Sequence, residues 1–282
     1  MKIISPAKLN LILRVGPLED SGFHQIASLM TTLAWGDEME FFFSPKSETK
    51  IEIECDRQDL NHEKNLAVRA AHLFSEEFNV SFQLKIKLKK QIPSEAGLGG
   101  GSSNAASVLK FLKEHAGQVV EDQKLNSLAA KLGSDVPFFL GSASAWCTGR
   151  GEILEACKIP YFEVLLVFPK TGISTSWAYK KLDERRNQQS ISFDSKRPKW
   201  SENSHDLLSL LENDFESLGL ENFDELERLR IDLENSGALK AQMTGSGSCF
   251  FGLYESKESA DRALSYISQR AWRCQRSFIG ER

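Results

Sequence analysis

Pro93-Ser94-Glu95-Ala96-Gly97-Leu98-Gly99-Gly100-Gly101-Ser102-Ser103-Asn104-Ala105-Ala106 is a glycine-rich loop that runs straight into a helix. Ala105, Val108, Leu109 and Leu112 mark one face of that helix across 104–115. The consecutive glycines Gly99, Gly100 and Gly101 leave no side chain between the backbone and a ligand. The helix start adds unpaired amides and the positive end of the helix dipole, and the two together suit phosphate oxygens. A dinucleotide fingerprint would need glycine where Ser102 stands. The P-loop pattern and the His-Arg-Asp and Asp-Phe-Gly triplets of protein kinases do not occur either, which excludes both machineries.

Outward from this loop the chain mixes strand and helix patterns. Residues 8–15 alternate, with Leu9, Leu11, Leu13 and Val15 on one face and Lys8, Asn10, Ile12 and Arg14 on the other, so Lys8 and Asn10 share a strand face. Residues 38–43, 50–54 and 81–89 read as half-buried strands, and 65–78 as a helix. Residues 122–132 form a helix stopped by Gly133, after which Ser134-Asp135-Val136-Pro137 has helix-start chemistry. Strands are expected at 143–147, 163–168, 240–243, 249–254 and 272–278, and helices at 205–217, 222–235 and 256–270. Thr244-Gly245-Ser246-Gly247-Ser248 is a second glycine turn, and 184–204 is a polar surface loop. This irregular alternation predicts an α+β fold with antiparallel sheet rather than a doubly wound one.

The 282 residues suggest two domains at about 150 residues each, here 1–156 and 157–282. With 35 Lys+Arg against 39 Asp+Glu the formal charge is −4, and no basic stripe points to nucleic acid. Apolar content of 41%, with 18 Phe, supplies a core and excludes disorder. The absence of an 18-residue apolar run, of an export signal and of any Cys-x-x-Cys pair predicts a cytoplasmic protein with reduced thiols, not bound to membrane.

The segment 93–106 resembles the phosphate-binding signature of the GHMP small-molecule kinases. Ser5-Pro-Ala-Lys-Leu-Asn-Leu11 and Met243-Thr-Gly-Ser-Gly-Ser-Cys249 fall in the order this family implies, and together the matches span 5–249. Gly22-Phe23-His24 and Leu132-Gly-Ser-Asp-Val-Pro137 are most similar to the members that act on a cytidine-diphosphate-linked methylerythritol. The resemblance implies a two-domain α+β fold with mixed and antiparallel sheets and an active site in the inter-domain cleft. It implies transfer of phosphate from ATP, with Mg²⁺, to the 2-hydroxyl of that small molecule in non-mevalonate isoprenoid precursor synthesis, by a monomer or homodimer. Homoserine-type or mevalonate-type kinase activity is the alternative, and a non-catalytic nucleotide-binding protein the remote one.

By the same resemblance Asp135 is the catalytic carboxylate and Lys8 the cation beside it, an arrangement that would hold the carboxylate ionised and stabilise charge developing on the substrate oxygen. Residues 93–103 would bind ATP, with Ser103 the candidate Mg²⁺ ligand and the others undetermined. Asn10, Phe23, His24, Tyr179 and Gly245 would contact the substrate. His24 offers a donor and an acceptor to a cytosine edge and Phe23 a stacking plane, while either Trp177 or Tyr179 could supply the opposite face. Glu95 places a carboxylate in the phosphate loop, where it must turn to solvent or meet a cation.

Overall fold

A computed structural model describes residues 1–117, 119–141, 143–186, 193–201 and 204–280. In chain order the elements are β1 (Lys2–Leu18), β2 (His24–Pro45), β3 (Lys50–Cys55), α1 (Leu66–Phe78), β4 (Phe82–Lys89), α2 (Gly100–His115), α3 (Asp122–Leu132), α4 (Val136–Leu140), β5 (Ser144–Thr148), β6 (Ile153–Ala156) and β7 (Phe162–Phe168). There follow α5 (Thr175–Arg186), α6 (Ser204–Leu208), β8 (Glu212–Asn213), α7 (Glu216–Asn222), α8 (Asp224–Asn235), β9 (Lys240–Met243), β10 (Phe250–Tyr254), α9 (Lys257–Ser268) and β11 (Arg273–Ile279). One sheet runs β3-β4-β2-β1-β8, with β5 added to β2 and β6 to β5; the other runs β11-β7-β10-β9. The first is mixed, since β3 pairs parallel with β4 and β1 parallel with β8, and the second is wholly antiparallel. No described helix is long and apolar enough to cross a membrane.

The chain forms two compact units. The first comprises Met1–Ala7, Trp35–Pro93 and Gly99–Ser142; the second comprises Lys8–Ala34, Ser94–Leu98 and Ala143–Arg282. In the first, β4 alternates as its sequence dictates, burying Phe82, Leu84, Ile86 and Leu88 and exposing Gln83, Lys87 and Lys89. Ala67, Ala70 and Ala71 of α1 and Ala105 and Ala106 of α2 are buried, because small residues let the two helices approach closely. Phe111 of α2 stacks on Phe41 of β2 with ring centroids 4.5 Å apart.

In the second unit every residue of β7 is buried, between β11 and β10 edge to edge and beneath α9, which is why its sequence is almost continuously apolar. Glu163, the one charge in that strand, is matched there by the Tyr161 hydroxyl at 2.5 Å and Arg276 at 3.1 Å.

Three expectations are corrected. The alternation in 8–15 suggested a half-buried strand, yet Ile12 is as buried as Leu11 and Lys8 and Asn10 are buried as well; β1 has neighbours on both faces. The helix expected at 205–217 is broken into α6, the two-residue β8 and α7. There Glu212 and Asn213 pair with Ile12 and Leu13, and the carboxylate of Asp214 accepts from the Val15 amide at 2.7 Å, so main-chain bonding to β1 outweighs helix propensity. Helix α2 begins at Gly100 rather than Asn104, so two of the three glycines lie in its first turn. Of the polar stretch 184–204, residues 187–192 and 202–203 lie outside the described residues, while Glu184 to Arg186 end α5.

Candidate active site

The glycine loop divides between the two units. In the first, Gly99 caps α2 in the left-handed conformation, φ +68°, which a side chain would strain. Having no side chain, it accepts nothing from the first-turn amides of Gly100, Gly101 and Ser102, and these have no acceptor within the helix. Gly101 is exposed. Four-turn α2 therefore presents a donor set and a dipole end that fit phosphate oxygens. Ser103 is buried, its hydroxyl 2.8 Å from that of Ser5. Asp135 occupies the N-cap of α4 with Pro137 just behind it, and its carboxylate makes no capping hydrogen bond. The plain capping role that its sequence context allowed is thus not what it does.

In the second unit the loop's other half meets the second glycine turn. A Cβ on Gly97, φ +72°, would collide with the Thr244 carbonyl, and one on Gly245 would lie 2.8 Å from the Gly97 carbonyl oxygen. Glycine at both positions is what allows the two turns to touch. The Lys8 amide donates to the Leu98 carbonyl at 3.0 Å, and the Asn10 amide donates to the Thr244 hydroxyl at 3.0 Å, so β1 holds both turns. Lys8 is only 4% exposed and its ammonium donates to Asn10 Oδ1. Asn10 Nδ2 in turn donates to the Ser28 hydroxyl at 2.8 Å, and that hydroxyl donates to the Ile12 carbonyl at 2.7 Å. This chain fixes the Asn10 amide and aims the ammonium.

Asn213 was not singled out by any sequence pattern. Its Nδ2 donates to the carbonyls of Met243 at 2.7 Å and Gly245 at 2.9 Å, and its Oδ1 accepts from the Phe215 amide at 2.9 Å. Glu216 adds a carboxylate that accepts from the Met243 amide at 2.7 Å. Burial pushes the Glu216 carboxyl up from the ordinary value, against that hydrogen bond, which lowers it.

The aromatic residues separate. Tyr179 of α5 packs on the His24 ring, centroids 5.0 Å apart, and edge-on to Phe215, whereas Trp177 packs against Phe223. His24 Nδ1 donates to the Gly16 carbonyl at 3.0 Å, and Nε2 faces the Asp183 carboxylate at 3.4 Å. Both ring nitrogens thus have protein partners, and reading a base with the ring edge would require Asp183 to release Nε2. Phe23 is half exposed, with the Arg150 guanidinium 3.6 Å above its ring. Glu95 is exposed at φ +54°, its Oε2 3.4 Å from the Cβ that Gly172 lacks. The segment it touches is anchored by Glu225, which accepts from the Lys170 and Thr171 amides, each at 3.0 Å. Burial raises the Glu225 carboxyl, but the Thr171 hydroxyl and these two amides outweigh it and leave the group below its usual range.

Comparison with known proteins gives the family. The GHMP kinases N terminal domain matches residues 65–142, and the GHMP kinases C terminal domain matches 196–274. The chain belongs to the GHMP kinases. Among its relatives in this family, a protein of Anaeromyxobacter dehalogenans (strain 2CP-1 / ATCC BAA-258) named 4-diphosphocytidyl-2-C-methyl-D-erythritol kinase is 37% identical over 95% of this chain and 85% of its own. A protein of the same name from Chlorobium phaeovibrioides (strain DSM 265 / 1930) is 35% identical over 96% of both. A crystal structure of 4-(cytidine 5'-diphospho)-2C-methyl-D-erythritol kinase is 31% identical, with a TM-score of 0.81 over the whole of both chains. The mevalonate kinase of Methanococcus jannaschii shares the GHMP kinase fold, at a TM-score of 0.67 and 15% identity. As a GHMP kinase the protein is an ATP-dependent kinase of a small molecule.

Proposed function

We propose that this GHMP kinase transfers the γ-phosphoryl group of ATP to the 2-hydroxyl of 4-(cytidine 5'-diphospho)-2-C-methyl-D-erythritol, in isoprenoid precursor synthesis. The observation that carries the phosphoryl-transfer reading is Lys8, a buried ammonium aimed by Asn10 on the strand that holds both glycine turns. The names of the relatives support the acceptor.

In this reading the first-turn amides of Gly100, Gly101 and Ser102 receive phosphate oxygens of ATP. Asp135, at the N-cap of α4, orients the acceptor hydroxyl and takes its proton, while the Lys8 ammonium stabilises the negative charge that builds on that oxygen. The hydroxyl oxygen forms its bond to the γ-phosphorus as the bond to the β-phosphate oxygen breaks, and ADP leaves without a phospho-enzyme. Mg²⁺ bound with the nucleotide would neutralise phosphate charge. Ser103, with its hydroxyl turned to Ser5, is a weaker candidate ligand than the phosphates themselves. His24 and Tyr179 hold the cytosine, with Phe23 at the rim. The sequence halves 1–156 and 157–282 serve as the family's ATP-binding and C-terminal domains, and the enzyme works in the cytoplasm as a monomer or homodimer.

The test is incubation with Mg²⁺, ATP and the cytidine-diphosphate substrate, followed by phosphorus NMR. The expected result is a new phosphomonoester signal together with ADP, and a turnover lowered about 10²–10⁴-fold in Asp135→Asn. Folded protein that binds ATP but forms no monoester would overturn the acceptor, and full turnover by Asp135→Asn would overturn the role of the carboxylate.

A further inference from the structure

Both stems of the phosphate loop converge on one carboxylate. Asp37 of β2 is fully buried. Its Oδ1 accepts from the amides of Gln91 at 2.8 Å and Ile92 at 2.9 Å, the two residues that lead into Pro93. Its Oδ2 accepts from Asn104 Nδ2 at 3.0 Å, in the second turn of α2, and pairs with the Lys90 ammonium. Asn104 Nδ2 donates its other proton to the Ser5 hydroxyl at 2.9 Å, and that hydroxyl meets the one on Ser103 at 2.8 Å. Lys90 also donates to Asn104 Oδ1 at 3.2 Å. Above the network, a Cβ on Gly100 would stand 2.9 Å from Ile92 Cγ2 and 3.2 Å from the Lys90 ammonium, so the first turn of α2 is seated directly on these two side chains.

We propose that Asp37 is a positioning residue for the phosphates of the nucleotide. The inference rests on the reading of 93–103 as the ATP phosphate site. A glycine-rich loop with unfastened stems loses conformational entropy when it closes around a ligand, and that loss weakens binding. Asp37 removes much of it beforehand by tying the strand that enters the loop to the helix that leaves it. The charge is suited to the task, because one carboxylate fills four acceptor positions at once with two amides, one carboxamide and one ammonium. A neutral residue of the same shape cannot do this.

Asp37→Asn makes the distinction. Its Oδ1 still accepts from Gln91 and Ile92, but its Nδ2 meets the Lys90 ammonium and Asn104 Nδ2, donors against donors, so the helix stem alone comes loose. The expected result is a rise in both KM and Kd for ATP of about tenfold or more, equal to the loss of one charge-assisted tie. The KM for the cytidine-diphosphate substrate should stay within about twofold, since that site shares none of these bonds. Without nucleotide, the amides of 103–106, the first that bond within α2, should exchange hydrogen faster than in the wild type. The double variant Asp37→Asn/Lys90→Met, which removes the stranded ammonium, should regain melting temperature yet keep the raised KM for ATP.

A lowered melting temperature with an unchanged KM for ATP, or unchanged exchange at 103–106, would reduce Asp37 to a structural residue and overturn the proposal. Wild-type protein that shows no saturable ATP binding would overturn the nucleotide reading itself, and the exchange measurement tells that failure apart from a failure of the tie.

Discussion

Replacing Asn213 by alanine removes a brace that no feature of the sequence advertises. The side chain makes three hydrogen bonds, to the Met243 and Gly245 carbonyls and from the Phe215 amide. Each is worth about 1 kcal/mol net, so the loss comes to about 3 kcal/mol. At roughly 2–4 °C per kcal/mol for chains of around this length, the melting temperature should fall by roughly 6 °C or more. Turnover should fall too, because the turn that shifts carries Thr244, whose hydroxyl holds the Asn10 amide and through it the strand that bears Lys8. The sharper comparison is Asn213→Asp. It keeps the acceptor for Phe215 but points a carboxylate at two carbonyl oxygens, so it should be at least as unstable as the alanine variant. Thermal melts and steady-state turnover of both variants decide the matter. An aspartate variant more stable than the alanine one would mean that donation to the turn is not what Asn213 supplies, and an alanine variant melting within about 1 °C of wild type would refute the magnitude.

Two further outcomes follow from the same unit. Tyr179→Ala should raise the KM for the cytidine-diphosphate substrate about tenfold while leaving that for ATP unchanged, since it removes the ring that packs on His24; steady-state kinetics on each substrate checks it. Glu216, its carboxyl raised by burial, holds its proton more tightly folded than unfolded. It therefore contributes stability that is fully present below its ordinary value of 4.5 and is lost as the pH rises through the raised one. Glu216→Gln keeps an acceptor for the Met243 amide without that loss, so the variant should gain melting temperature relative to wild type between about pH 4 and pH 7; a constant difference across that range would contradict the sign.

Where the sequence was readable, a local rule decided the structure. Alternation in 82–89 carries β4, the periodic alanines and leucines of 105–112 carry α2, and Gly237 at φ +87° ends the helix before β9. The glycines of both turns were readable for the same reason, because positive φ and close backbone approach have few other solutions. What escaped depends on distant partners. Residues 205–217 carry a helical pattern, but the bonds that break it run from 212–214 to β1, some two hundred positions away in the chain. Asp37 looks like any strand-edge aspartate until 90–92 and Asn104 close around it. Tyr179 and Trp177 are two residues apart on one helix, and only His24 and Phe223 tell them apart.

The burial of Lys8 is the step that joins stability to chemistry. A lysine on a wet strand face would cost the fold nothing, but its charge would be screened by water. At 4% exposure the ammonium is little screened, so that in the proposed transfer its charge would act more strongly on the acceptor oxygen, and the cost of desolvation must be offset by fixed partners. Those partners are fixed: Asn10 Oδ1 accepts from the ammonium, the Ser28 hydroxyl accepts from Asn10 Nδ2, and the Ile12 carbonyl accepts from the Ser28 hydroxyl. Asn10 and Ser28 each spend a side chain that an ordinary core strand would fill with valine or isoleucine. Asn10 and Ser28 are thus a preorganised support for one charge, carried on the strand whose Lys8 and Asn10 amides bond the two turns that glycine alone allows to meet.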